Sequence, residues 1–313
     1  MPVPGIMVGA YDMTDAAAAG RPNPLFRNLS SKIASLPMIF IVLFAFIGCS
    51  IWTIAYSMTD AKIYPVFNFI GLGQYKRLFF NTPVWTISWH NAVIYVVLYT
   101  ACAFVLGFLI AVFMDQKIRA EGIFRTIYLY PFALSFIVTG HVWAWIMSPA
   151  WGLQKSVRQM GWESFTFDWI ADRDMSIYAV VIAGVWQGTG LVMALMIAGL
   201  RSIDDEVWKA ARVDGIPKWR TYLQIVIPMM RPVLVTTFVI VASGAVRLYD
   251  LVVALTDGGP GNATEVPAKY VYKYLFSGSI GQGLAAATVM LVTTAVILIP
   301  WVYIEFVKGR QAR

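Results

Sequence analysis

Charge is scarce in this 313-residue chain: Asp, Glu, Lys and Arg make up 13% of it, against 59% hydrophobic residues and a mean hydropathy of +0.67. Soluble domains carry about 25% charged residues, so one large soluble core is excluded. Histidine is reduced to His90 and His141. They lack the spacing of a metal pair, and His141 reads as an interhelical hydrogen-bonding group or as a ligand. Cysteine is limited to Cys49 and Cys102. They stand in no redox or metal spacing, and both are expected to be small buried apolar residues. No G-x-x-x-x-G-K-[ST] phosphate loop occurs, so the chain is expected to hydrolyse no nucleotide itself. No serine sits in a G-x-S-x-G elbow. The expectation is a chain with no catalytic residue, no metal and no cofactor of its own.

Long apolar runs are what the chain has in quantity. Six of them, over residues 35–57, 92–114, 126–147, 176–200, 232–255 and 284–306, approach the ~20 residues needed to cross a hydrocarbon layer about 30 Å thick. Backbone amides cannot stay unpaired in lipid, so each run must be helical. The expected fold is an all-α integral membrane bundle of about six transmembrane helices. Residues 1–34 would form a tail and a short interfacial helix, 35–306 the membrane domain, and 307–313 a second tail. The first 30 residues lack the apolar core of a cleavable signal peptide. Trp85, Trp145 and Trp151, near span ends, fit an interfacial aromatic belt.

Lys and Arg set the orientation. Fifteen of the 24 fall in the connections on one face and eight on the other, leaving Arg247 inside the fifth span. The excess of positive charge marks the cytoplasmic side, which places both termini there. The net charge of +7 is thereby explained as topology. The basic residues are scattered over short loops, which gives no nucleic-acid signal.

One segment is out of character. Residues 204–228, D-D-E-V-W-K-A-A-R-V-D-G-I-P-K-W-R-T-Y-L-Q-I-V-I-P, are polar and basic. Asp204 and Asp205 favour a helix N-terminus at that point. Asp214-Gly215 ends the helix, because glycine takes the left-handed conformation of a C-terminal cap and Pro217 blocks continuation. A second short helix follows and Pro228 punctuates it. The pair over residues 203–227 is too polar to insert, and Ala210 and Ala211 are expected to give a small-residue surface for a partner. The bland alternative is a loop that only caps the bundle.

The stretch K-A-A-R-V-D-G…I-V-I-P resembles the E-A-A…D-G…I-x-L-P signature of permease subunits of bacterial ABC importers. In that family it is the coupling helix, between spans 4 and 5, docked on a cytoplasmic ATPase. The resemblance places Ala210, Ala211, Asp214, Gly215, Ile225 and Pro228 on motif positions, with Ile227 in place of Leu. Lys209 stands where the family has Glu. That reversal implies a dedicated or compensated ATPase, or a second permease that supplies the Glu. L-T-D-G-G-P-G-N-A-T-E, residues 255–265, is similar to the L-T-x-G-G-P-x-x-x-T segment of carbohydrate-type permeases. Its Gly and Pro content alone predicts only a tight external loop. Residues 115–140 are similar to the permeases of glucose/mannose importers. The first external connection is short, unlike that of the maltose-type permease.

The resemblance implies a chain in the bacterial inner membrane, in contact with lipid. It would work with a second homologous permease, two cytoplasmic ATPase subunits that bind ATP and Mg, and an external solute-binding protein. The implied cargo is a neutral sugar such as a hexose or close glycoside. Glycerol phosphate, an oligosaccharide, or ion-coupled carriage of a sugar are the alternatives. By likeness to the maltose-type permease, sugar contacts fall near residues 132–136, 186–191 and 243–248. Within these stretches Phe132 and Trp186 offer aromatic faces, and Ser135 lies beside Phe132. Gln187, Ser243 and Arg247 offer hydrogen bonds. Arg247 and Asp250, at i and i+3, are close enough to pair on one helix face. They read as a self-neutralising pair, as pathway groups, or as a contact with the second permease. Gly188, Thr189 and Gly190 fit close helix packing equally well.

Overall fold

The computed structural model describes residues 29–116 and 118–303. Among them the regular structure is helical, apart from an isolated antiparallel bridge between Thr59 and Phe69. The expected tail over residues 307–313, and residues 1–28 of the expected 1–34 tail and interfacial helix, lie outside the described residues; residues 29–34 belong to a helix over Leu29–Ile41.

Two compact units divide the chain at residue 52. The first holds the start of helix α1, Leu29–Ile41, continued by a π-helical stretch Val42–Gly48. Phe40 and Phe44 stack there at 5.9 Å, and the π stretch buries no residue. The Ile33–Ser57 segment is long and apolar enough to cross a membrane.

The second unit contains α2 (Gly73–Phe80), α3 (Pro83–Met114), α4 (Glu121–Ala133), α5 (Phe136–Ile146), α6 (Leu153–Gln159), α7 (Ser176–Arg201) and α8 (Asp205–Val213). It continues with α9 (Lys218–Met229), α10 (Arg231–Val246), α11 (Asp250–Leu255), α12 (Pro267–Phe276) and α13 (Ile280–Val302). With Ile33–Ser57, helices α3, α7 and α13 make four elements long and apolar enough to span a membrane. Two bent pairs, α4–α5 at 99° and α9–α10 at 74°, raise the count to six if each is one span.

The third expected span is therefore not one straight helix over 126–147. Pro131 lies in the last turn of α4, and Leu134 and Ser135 are extended. Proline removes an amide donor and crowds the preceding turn. Ser135 then caps α5, its hydroxyl accepting from the Val138 amide at 3.3 Å. The fifth expected span, 232–255, is also interrupted, between Val246 and Asp250. Arg247 caps the C-terminus of α10 and Asp250 opens α11. Each charge sits at the helix end whose dipole favours it.

Helix α7 is the packed centre of the second unit. Its Val192, Met193, Met196 and Leu200 share a buried cluster with Ala103, Ala111 and Met114 of α3. Tyr95 and Tyr99 of α3 stack at 5.1 Å, and their phenols fill the space a methyl would take at Gly184 and Gly188. The backbone of Tyr128 and Leu129 fills the equivalent space at Gly190. Small residues let helices approach this closely in a bilayer.

Three expectations are corrected here. Cys49 and Cys102 are exposed, not buried, because they lie on outward helix faces. Trp85 leaves the aromatic belt and is buried against Tyr270 at 5.2 Å. His141 bonds within its own helix, its Nδ1 being 2.8 Å from the Ile137 carbonyl.

Candidate functional site

At the C-terminal end of α7 the chain leaves the core and forms the polar bracket. Asp204 caps α8, its carboxylate accepting from the Glu206 amide at 3.0 Å. At the other end the Gly215 amide donates to Arg212 at 3.2 Å and the Ile216 amide to Ala211 at 3.0 Å. Gly215 has φ +68°. This is a Schellman closure, which requires the left-handed residue that glycine supplies. Val207 and Trp208 pack on the cluster around Met193 and Met196, and Ala211 is buried. The opposite face, Glu206, Lys209, Ala210 and Val213, is exposed, Val213 at 87%. Of the expected pair of small surface residues, only Ala210 faces outward. Ala211 is turned inward by its place one residue on.

A cavity of about 570 Å³ lies behind the bracket, bounded by Asp115, Arg201, Asp205, Trp208, Arg212 and Tyr222 among others. Arg201 joins Glu121 at 2.6 Å and Asp115 at 3.8 Å. Gln116, just beyond α3, donates to the Tyr222 hydroxyl at 3.1 Å, and the Tyr222 ring meets Trp208 at 5.3 Å. Packed side chains and polar ties thus connect α8 and α9 with the ends of α3 and α7.

A second cavity, of about 430 Å³, opens among α3, α4, α7 and the α10–α11 break. Tyr95, Tyr99, Phe132, Phe136 and Tyr249 supply aromatic walls, and Arg247 and Asp250 the charges. Three expected site residues, Phe132, Arg247 and Asp250, meet here. No ion pair joins Arg247 to Asp250 within 4.0 Å among the described residues, because the helix breaks between them. Both are exposed and able to turn their polar groups to a guest.

The other expected residues lie off this wall. Gln187 is buried at 2% exposure and donates through Nε2 to the Leu134 carbonyl at 2.7 Å. Ser243 is also buried and donates to the Ile240 carbonyl at 3.1 Å. Trp186 lines a separate apolar groove with Trp143, their rings 5.9 Å apart. Ser135 caps α5. The sequence does not single out Tyr95, Tyr99 or Tyr249, while Phe136 ends the expected 132–136 stretch. The i, i+4 spacing of Tyr95 and Tyr99 in an apolar run was the available signal for two of them.

The residue 255–265 segment forms a tight turn beyond α11. Asn91 of α3 donates to the carbonyls of Ala263 at 2.8 Å and Glu265 at 2.9 Å. The Thr256 and Thr264 hydroxyls lie 2.7 Å apart. Lys269 reaches Asp257 at 3.0 Å and Glu265 at 3.7 Å. Burial pushes the Glu265 carboxyl above its usual range, and Lys269 pulls the other way. Its Oε1 is buried without a hydrogen-bond partner.

The family described as the binding-protein-dependent transport system inner membrane component matches residues 103–305. A probable ABC transporter permease protein of Pyrococcus horikoshii is 36% identical over 264 residues, covering 83% of this chain and 90% of that protein. The xylose/arabinose import permease protein of Haloferax volcanii is 31% identical over 248 residues, covering 78% and 77%. A bacterial alginate ABC transporter, solved with an alginate pentasaccharide-bound periplasmic protein, has a chain of the same fold: TM-score 0.75, 16% identity, 90% of this chain and 96% of that chain. Such permeases are transport subunits, not enzymes, and ATP is hydrolysed by their partner ATPases. With a lengthwise match over the membrane domain, the chain belongs to the family of inner membrane components of binding-protein-dependent ABC transport systems.

Proposed function

We propose that the chain is the membrane-spanning subunit of an ATP-driven, binding-protein-dependent importer of a neutral sugar, a hexose such as glucose or mannose or a close glycoside. The observation that carries the cargo class is the aromatic cavity with two unpaired charges at a helix break. Its ~430 Å³ falls in the ~300–1,000 Å³ range of small-molecule sites. Aromatic rings offer faces to a sugar's C–H surface, while Arg247 donates to hydroxyls and Asp250 accepts from them. Phe132, Arg247 and Asp250 line the pathway; Ser135 and Gln187 hold the α4–α5 break open beside it. Trp186 and Ser243 support α7 and α10. A xylose/arabinose permease among the relatives supports a sugar.

Helix α8 is the coupling helix. Lys209, Ala210, Asp214 and Gly215 present or close its outer face, while Ala211 and Pro228 fix it to the bundle. Two ATPase subunits bind ATP and Mg, a second permease completes the pathway, and an external binding protein delivers sugar. Both termini face the cytoplasm. An oligosaccharide is the alternative cargo, supported by a trehalose/maltose permease among the relatives.

The test is reconstitution of the full importer in vesicles with radiolabelled glucose, mannose and maltose. Uptake should require ATP and the binding protein, and unlabelled hexose should compete. Uptake driven by an ion gradient without ATP would refute the mechanism. Competition by maltose alone would move the cargo to the oligosaccharide alternative.

A further inference from the structure

The short helix α6 and the residues that flank it have no part in the pathway or the bracket, yet they expose several large apolar side chains. Trp151 is 80% exposed, Met160 85% and Trp162 61%, and Leu153 is exposed beside them. The only charges on α6 are Lys155 and Arg158, both basic. The Lys155 ammonium lies 4.6 Å from the centre of the Trp151 ring.

The inner side of α6 is already covered by the chain's own return segment. Gln154 is buried and accepts the Phe167 amide at 2.6 Å. Arg158 Nε donates to the Phe165 carbonyl at 2.7 Å. Trp162, Phe165, Phe167 and Trp169 follow one another with ring separations of 5.2, 6.3 and 5.3 Å. Trp151, Leu153 and Met160 are left exposed, and so is Trp162, the first ring of that series.

The backbone ties that unit to α5. The Gly152 amide donates to Ser148 at 2.8 Å, and a methyl at Gly152 would overlap the carbonyls of Trp145 and Ile146. Helix α6 therefore starts against the last turn of α5, the end of the apolar bent pair α4–α5. Trp145, in that turn, is itself exposed.

We propose that α6 is an interfacial anchor bound to phospholipid. Trp151, Leu153, Met160 and Trp162 enter the headgroup–acyl boundary, and Lys155 and Arg158 meet the lipid phosphates. Indole rings and basic side chains with apolar stems are the groups that settle at this boundary. Apolar groups at this boundary sink about 5–10 Å. The return segment carries the acids Glu163, Asp168, Asp172 and Asp174. Of these, Asp172 is engaged in its own turn, accepting from the Asp174 amide at 2.7 Å. The anchor would hold the α5 break, and with it Phe132 and Phe136 of the cavity, at constant depth while α8 moves.

The test uses the full chain with Cys49→Ala and Cys102→Ala, and a single cysteine introduced as Met160→Cys or Trp162→Cys. Each is labelled with an environment-sensitive fluorophore in nanodiscs of phosphatidylethanolamine and phosphatidylglycerol. Lipid-borne bromine should quench both labels at least about twofold more than aqueous iodide does. A label at Val213→Cys should show the opposite ranking. Lys155→Gln with Arg158→Gln should weaken the bromolipid quenching. Iodide quenching without bromolipid quenching at both positions would overturn the anchor. So would burial of both labels only after another protein subunit joins the disc.

Discussion

The buried amide of Gln187 in α7 donates a 2.7 Å hydrogen bond to the Leu134 carbonyl, at the point where α4 stops and α5 turns away by 99°. Non-helical backbone at membrane depth is tolerated only when its polar groups are met by protein or water. One glutamine is therefore tied to the shape of a span 53 residues away. Gln187→Leu should cost about 1–3 kcal/mol through the unsatisfied carbonyl. Thermal unfolding in detergent should show the loss, and an unchanged midpoint would mean the carbonyl is satisfied otherwise.

Helices α3 and α7 should respond as a fitted pair. Gly184→Ala places a methyl on the Tyr95 hydroxyl, an overpacking that costs about 1–3 kcal/mol. Tyr95→Phe removes the clashing oxygen and should restore most of that stability. A double-mutant cycle reads the coupling directly. Additive losses would show that the two do not meet.

Arg247 and Asp250 should behave independently, since no ion pair joins them. Arg247→Gln and Asp250→Asn are each expected to raise the sugar concentration for half-maximal uptake about tenfold, roughly 1.4 kcal/mol of lost binding. Their cycle should show coupling under about 0.5 kcal/mol. A large coupling energy would restore the paired interpretation.

The exposed face of α8 should select its ATPase by charge. Lys209→Glu is expected to change ATPase association about tenfold at low salt, with the effect fading as ionic strength rises. Co-purification across a salt series measures it. Gly215→Val acts differently: it strains the left-handed cap at φ +68°, costing about 1 kcal/mol or more, and its effect should be independent of salt.

Glu265 gives the turn beyond α11 a pH dependence. Its folded carboxyl titrates above its ordinary value, with burial the larger cause and Lys269 opposing it. The protonated form is thus favoured in the fold. The stabilising contribution is fully present below the unfolded value of about 4.3 and is lost as pH rises through the raised folded value. Glu265→Gln keeps the neutral form and should flatten that loss in thermal unfolding measured from acid to neutral pH. An equally steep decline in the variant would point to another group.

Periodicity and length were sufficient for much of the chain. The four straight spans follow from uninterrupted apolar runs, because hydrocarbon leaves the backbone no option but helix. The caps of α8 were legible, because a cap is a local event: Asp204, Asp214 and Gly215 take their positions from their immediate neighbours, whereas Ala211 is turned inward and Pro228 lies inside α9 instead of ending it. The candidate cavity was legible only in part. Phe132, Arg247 and Asp250 were named for their chemistry and Phe136 lies in the expected 132–136 stretch, whereas Tyr95, Tyr99 and Tyr249 reach it through packing. Gln187 looked like a sugar-facing amide until the bend at Leu134 gave it a carbonyl to satisfy.

The sequence by itself thus determined a helical membrane domain, its polar bracket and its lack of hydrolytic chemistry, since each depends on local composition, spacing or the demands of the bilayer. Tertiary structure alone decided where the third and fifth apolar runs break, which aromatic rings face one cavity, and that Arg247 and Asp250 stand apart. Those outcomes depend on contacts between residues far apart in the chain, such as Asn91 with Ala263, Tyr95 with Gly184 and Gln187 with Leu134. No window of sequence contains both partners.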